Sequence, residues 1–142
     1  DGQYSQTGEN NVYYSTPRSM ARFGLLLLNK GKWDQTQVVP ESFLNLMITS
    51  SQSMNPSYGY LTWLNGKSSY LLPAPGQINI NASITPNAPI DMFAAMGKNG
   101  QLINVIPSKQ LVVIRVGDAP DTSLVPYTFQ NDLWTKLNEI IP

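Results

Sequence analysis

Phe93-Ala94-Ala95-Met96-Gly97-Lys98-Asn99-Gly100-Gln101-Leu102-Ile103-Asn104-Val105-Ile106-Pro107-Ser108-Lys109-Gln110-Leu111-Val112-Val113-Ile114-Arg115-Val116-Gly117 is the stretch that decides the fold. It reads as a strand carrying Gly97-Lys98-Asn99-Gly100-Gln101 in its middle, then a Pro107-Ser108-Lys109 turn, then a strand too apolar to face water. Glycine weakens a strand interior and often marks a close approach of a ligand or another backbone. The same residues also fit a second reading, because Asn-Gly is a standard hairpin turn. In that case 93–98 and 101–107 are paired strands. Both readings give an antiparallel sheet, and they differ in what residues 97–101 are for.

Upstream of this stretch the period is helical. Ser15 or Thr16 suits an N-cap and Pro17 the first helical position, where a missing N–H costs nothing. Met20, Phe23, Leu27 and Leu28 recur at helical spacing, with Leu25 and Leu26 widening the apolar face. Gly31 suits a C′ stop, and Gly24 implies close packing. Residues 32–39 read as a short hairpin or tight loop, and Pro40 opens a second helix to about Ile48. Residues 1–12 are polar and read as an irregular lead-in.

From Tyr58 to Leu64 the period becomes two, with Tyr58, Tyr60, Thr62 and Leu64 on one face. Asn65-Gly66 predicts a hairpin returning through 69–72. Residues 73–90, with Pro73, Pro75, Pro86 and Pro89, read as a long loop with one short strand at 78–80. A last helix is expected within 124–142, from about Tyr127 to Ile140, with Phe129, Leu133, Trp134, Leu137 and Ile140/Ile141 on its buried side. The order predicts an α+β fold: one unit over 1–142, helical over 13–57 and stranded over 58–117, its antiparallel sheet flanked by helices.

Composition prunes the chemistry. The chain has no cysteine and no histidine, which excludes a disulfide framework, a thiolate nucleophile, a Ser-His-Asp triad and His- or Cys-ligated metals. Acids and bases balance at nine each, so net charge offers nothing to a nucleic acid. No apolar run is long enough for a membrane span. Low charge with many Asn, Gln, Ser, Thr and Tyr suits an exported bacterial protein, periplasmic or associated with the cell envelope. The abrupt start at Asp1-Gly2 reads as a cut inside a longer protein.

Four segments, in this order, resemble the serine β-lactamase-like hydrolases, the group of class C β-lactamases, DD-peptidases, related esterases and 6-aminohexanoate-dimer hydrolases. They are Tyr14 to Trp33, Val38-Val39-Pro40-Glu41-Ser42-Phe43, Tyr58-Gly59-Tyr60-Leu61-Thr62-Trp63-Leu64, and 93–117 with its Gly-x-x-Gly-Gln and Val-Ile-Pro. The resemblance implies a partial β-lactamase/transpeptidase-like fold and an acyl-enzyme on an amide, ester or β-lactam bond, with no cofactor or metal. It implies that the Gln101 backbone N–H serves an oxyanion hole, and that Lys98, Asn99 and Gly100, with Tyr60 and Trp63, contact a small-molecule or peptidoglycan-like substrate. The lead-in departs from Lys-Thr-Gly, which points away from β-lactams and toward the esterase and amidase relatives.

That chemistry needs a Ser-x-x-Lys pair, and no serine here has lysine three residues later. The tyrosine motif would lie upstream of Asp1. The chain is therefore expected to be the C-terminal part of such a hydrolase, inactive alone, and to self-associate through exposed sheet edges. The alternative is a non-catalytic cell-envelope binding or interaction module on the same fold.

Overall fold

The computed structural model describes residues 2–7, 10–73 and 77–141, with the backbone alone for residues 2–13. Residues Gly2–Thr7 (β1) and Asn10–Ser15 (β2) pair as antiparallel strands, so the segment expected to be irregular is ordered as a ladder. Helix α1 spans Pro17–Leu28. The Thr16 hydroxyl accepts the Ser19 N–H at 3.2 Å and Pro17 sits in the first turn, as the sequence predicts. At the far end Lys30, with φ 54, takes the left-handed C′ place expected for Gly31. Gly31 comes one residue later, and the bonds Gly31 N–H to Leu26 O (2.8 Å) and Lys30 N–H to Leu27 O (3.1 Å) close a Schellman motif.

Two short strands, Lys32–Trp33 (β3) and Thr36–Gln37 (β4), make the expected small hairpin, and α2 follows over Glu41–Met47. The main sheet consists of Trp63–Leu64 (β5), Phe93–Gly97 (β8), Gln101–Ile106 (β9) and Leu111–Arg115 (β10), in the order β10-β9-β8-β5, all antiparallel. Tyr70–Leu71 (β6) and Asn79–Ile80 (β7) pair separately, and Tyr127–Leu137 is α3. The strand predicted near 78–80 is thus present. No helix among the described residues is long and apolar enough to cross a membrane.

Side-chain alternation along the strands builds a three-layer arrangement. On one face Leu64, Phe93 and Val105 pack with Leu27, Leu28 and Ile103 beneath α1. A Cβ on Gly24 would lie 2.5 Å from Val112 Cγ1, so the glycine lets this helix rest on the sheet. The helix is only partly covered, with Phe23 and Leu25 exposed despite their apolar character. On the other face Ile106, Met92 and Ala88 pack around Trp134 of α3, which is fully buried, as the expected anchor should be. Losing a side chain of this kind costs about 3–5 kcal/mol. Gln130 lies one turn before it and is equally buried, whereas Ile140, expected inside, is exposed.

Two expectations around Tyr58 fail. Only Trp63 and Leu64 of the 58–64 segment enter the sheet. Tyr58 bridges back to Trp63 and the Gly59 N–H bonds to Thr62 O at 2.8 Å, so the chain folds on itself there. Nor does Asn65-Gly66 form a hairpin: β5 pairs with β8, and β6 with β7. The Asn65 side chain is instead buried as a clamp. Its amide donates to the carbonyls of Ala88 (3.2 Å) and Pro89 (3.0 Å), and its oxygen accepts from Ser83 Oγ (2.6 Å) and Thr85 N–H (3.0 Å). A side chain that satisfies four partners in the interior is worth more there than in a turn. Through it the 83–92 segment is held against β5.

Candidate functional site: a hairpin tip and a neutral cleft

Residues 97–101 form a hairpin tip. Strands β8 and β9 pair up to Gly97 opposite Gln101, and a 3-10 turn over Lys98–Gly100 joins them. The continuous interrupted strand is therefore not what forms. Asn99 (φ 63) and Gly100 (φ 74) occupy the left-handed region that a tight reversal needs. Lys98 and Asn99 are exposed and Gly100 is buried.

The tip is tied down from behind. The Arg115 guanidinium donates to the carbonyls of Asn99 (3.2 Å), Gly100 (3.1 Å), Gly117 (3.3 Å) and Asp118 (2.7 Å). It also lies over the Phe129 ring at 4.9 Å. The Gln101 side-chain amide donates to Asn99 O (3.1 Å) and Gly117 O (2.7 Å), and its oxygen accepts the Gly117 N–H. A Cβ on Gly100 would meet Pro120 Cδ at 2.7 Å and Arg115 Nη1 at 2.9 Å. The close approach that the glycine allows is thus made by Pro120 and Arg115. Sequence reading missed Arg115; its only signal was a lone cation ending an apolar strand.

A cleft of about 390 Å³ opens on the face of the sheet opposite α1, with Tyr58, Trp63, Leu71, Leu72, Met96 and Val125 among its walls. Trp63 and Tyr58 meet edge to face at 4.8 Å. The buried Asn55 at its rim exchanges two hydrogen bonds with the Leu71 backbone and so holds β6. Among the described residues of the lining, Tyr58 is the only ionisable side chain. Beside the cleft, burial and the nearby Tyr127 ring raise the pKa of the Tyr70 hydroxyl above its ordinary value.

Of the residues singled out from sequence, Trp63 lines this cleft, and Met96 connects it to the strand leading to the tip. Tyr60 does not: it packs on Phe43 of α2, rings 6.3 Å apart, and is half-exposed. Lys98, Asn99, Gly100 and Gln101 sit together at the tip, and Gln101 belongs to β9, a strand with neighbours on both sides. The strand with an open stretch is β8. The β5–β8 ladder holds only Trp63 opposite Ala94 and Leu64 opposite Phe93, so Ala95–Gly97 run on past its end. Among the described residues no group of three or more His, Cys, Asp or Glu side chains could hold a metal.

No family model matches the chain, and neither does any curated protein. Among solved structures it is similar to a Bacillus anthracis protein provisionally assigned as a 6-aminohexanoate-dimer hydrolase, with a TM-score of 0.59 and 20% sequence identity. The likeness covers 93% of this chain and 31% of that one, so the chain spans less than a third of its neighbour's length. Likeness at this identity speaks for fold alone, and the fold is α+β and partial β-lactamase-like.

Proposed function

We propose that these residues supply one wall of the active site of a β-lactamase-related serine hydrolase that cleaves amide, ester or β-lactam bonds through an acyl-enzyme. The observation that carries this reading is the stretch Ala95–Gly97 of β8, which extends past the two-residue β5 ladder beside an apolar cleft. Fixed backbone N–H donors are the groups that stabilise the oxyanion of an acyl-transfer transition state. In this reading the β8 edge, rather than the Gln101 N–H inside the hairpin, faces the substrate. Trp63 and Met96 line the apolar side, while Lys98 and Asn99 lie on the turn that follows β8. The similarity to a protein assigned as a hydrolase supports the same class. The β-lactam option is the least favoured, since the described residues of the lining include no cation for a carboxylate.

The nucleophile must come from outside these 142 residues, because they contain no Ser-x-x-Lys. The isolated chain is therefore expected to turn over neither nitrophenyl acetate, nitrophenyl butyrate nor nitrocefin. Turnover abolished by replacing a single serine within the chain would overturn the proposal. A polypeptide joining these residues to a Ser-x-x-Lys segment should hydrolyse at least one of them, and Ser→Ala in that segment should stop it. Binding of envelope fragments without turnover in such a polypeptide would favour the non-catalytic reading instead.

A further inference from the structure

The chain contains two Asn-Gly dipeptides, and the fold treats them in opposite ways. Asn-Gly is the sequence in which a side-chain amide is most open to attack by the next backbone nitrogen, because glycine has no Cβ to shield it. Asn65 is buried, both ends of its amide are bonded, and the Gly66 N–H is held by Ser83 Oγ at 3.0 Å. Asn99 is exposed at the apex of a three-residue turn, and its side-chain amide has no hydrogen-bond partner among the described residues.

We propose that Asn99 is a site of spontaneous deamidation, closed through the Gly100 nitrogen and gated by the Arg115 clamp. The Gly100 nitrogen gives up its proton and bonds to Asn99 Cγ, closing a five-membered succinimide. The Cγ–Nδ2 bond breaks and the amide leaves as ammonia, taking up a proton. Water then opens either ring carbonyl, leaving an aspartyl or isoaspartyl residue at position 99. No oxidant, metal or enzyme is required.

The gate follows from the hydrogen bonds. Ring closure needs the peptide between Asn99 and Gly100 to rotate out of the turn, and Arg115 holds the carbonyls of both residues. Releasing a three-residue tip is a local opening, whereas freeing Asn65 requires dismantling the 83–92 segment. The product adds a negative charge next to Lys98, and the isoaspartyl form also lengthens the backbone where Gly97 and Gln101 must meet. The positive charge that Lys98 gives the tip is thus offset as the protein ages. This inference does not depend on the hydrolase reading.

Peptide mapping by mass spectrometry, on the chain held folded at mildly alkaline pH and in parallel in denaturant, tests it. Fragmentation separates position 99 from position 104 within the tryptic peptide 99–109, and an isoaspartyl methyltransferase reports the rearranged product. In the folded chain Asn99 should convert about a hundredfold faster than Asn65, while in denaturant the two rates converge. Arg115→Met should accelerate conversion at Asn99 and leave Asn65 unchanged. Equal rates at the two sites in the folded chain, or an Asn99 that converts only in denaturant, would overturn the proposal, and neither result depends on the variant folding.

Discussion

Replacing Asn65 by alanine removes one side chain and strands several partners. The carbonyls of Ala88 and Pro89 lose their donor, Ser83 Oγ loses its acceptor, and the N–H of Thr85, a fully buried residue, is left without a partner. A hydrogen bond contributes about 1 kcal/mol net, and a stranded buried donor costs about 1–3 kcal/mol. Relaxation of the 83–89 loop recovers part of this, so a loss of about 3 kcal/mol is expected. With a urea dependence of about 1–3 kcal/mol per molar for a domain of this size, the midpoint should fall by about 1–3 M. Buried Trp63 and Trp134 make fluorescence a direct probe of the transition. A midpoint within a few tenths of a molar of the parent, at unchanged slope, would refute the clamp. Asn65→Asp separates donor from acceptor. Its carboxylate would face two carbonyls it cannot donate to, so its folded pKa should rise above the ordinary carboxylate value of about 3.9. The sign follows: the variant is closest to the parent at low pH, loses stability as pH rises past that unfolded value, and stays weakened above its folded pKa. Flat pH dependence relative to the parent would contradict this.

Other consequences can be measured in the same way. Gly100→Ala places a Cβ against Pro120 and Arg115 at φ 74, and should lower stability by about 2–3 kcal/mol in the same urea titration; a change under about 0.5 kcal/mol would show that the tip is free to shift. Arg115→Met removes four carbonyl contacts, and faster amide exchange confined to the 97–101 tip and 117–118 is expected, whereas exchange unchanged at the tip would mean that Gln101 alone holds it. In an alkaline absorbance titration Tyr70→Phe should delete a late-titrating tyrosine. Because that pKa is raised by folding, its contribution to stability is complete below the unfolded value near 10 and fades as pH climbs through the folded one. Strand β10 ends the sheet as a five-residue edge with four apolar residues before Arg115; light scattering should show concentration-dependent association, and a monodisperse monomer would exclude pairing through it.

Much of the architecture is legible in local chemistry. Thr16-Pro17 starts α1, Gly24 marks where that helix touches the sheet, and the Pro107-Ser108-Lys109 turn separates β9 from β10 as read. The failures are places where long-range partners outbid short-range preference. Asn65-Gly66 has the composition of a hairpin turn, yet the Asn65 side chain finds four partners 18 to 24 residues downstream, beyond any local window. Tyr58–Leu64 alternates like a strand, but a left-handed Leu61 (φ 52) reverses it, and nothing in a leucine announces that. Tyr60, which the resemblance placed beside the substrate, packs against Phe43 of α2 where the strand is broken. At the tip the glycine was read as admitting a ligand, and the partner that Gly100 admits is Arg115, fifteen residues later in the chain. The cleft itself was invisible because its walls come from separated segments, each of ordinary composition.

The sheet joins two kinds of connection. Its three longest strands, β8, β9 and β10, are linked by turns of three and four residues, while β5 reaches β8 across the whole of 65–92 and is tied to it by the Asn65 clamp and an Asn65 N–H to Met92 O bond of 2.9 Å. Closing a short turn costs less chain entropy than closing that long excursion, and the difference sets an order of events. The meander should assemble first and recruit β5 late. Val105→Ala, in the meander's interior, should then mainly slow folding, and Asn65→Ala should mainly speed unfolding. The reverse pattern in stopped-flow kinetics would place the clamp in the nucleus. On this ordering, the cleft beside Trp63 is among the last parts of the molecule to form and among the first to be lost.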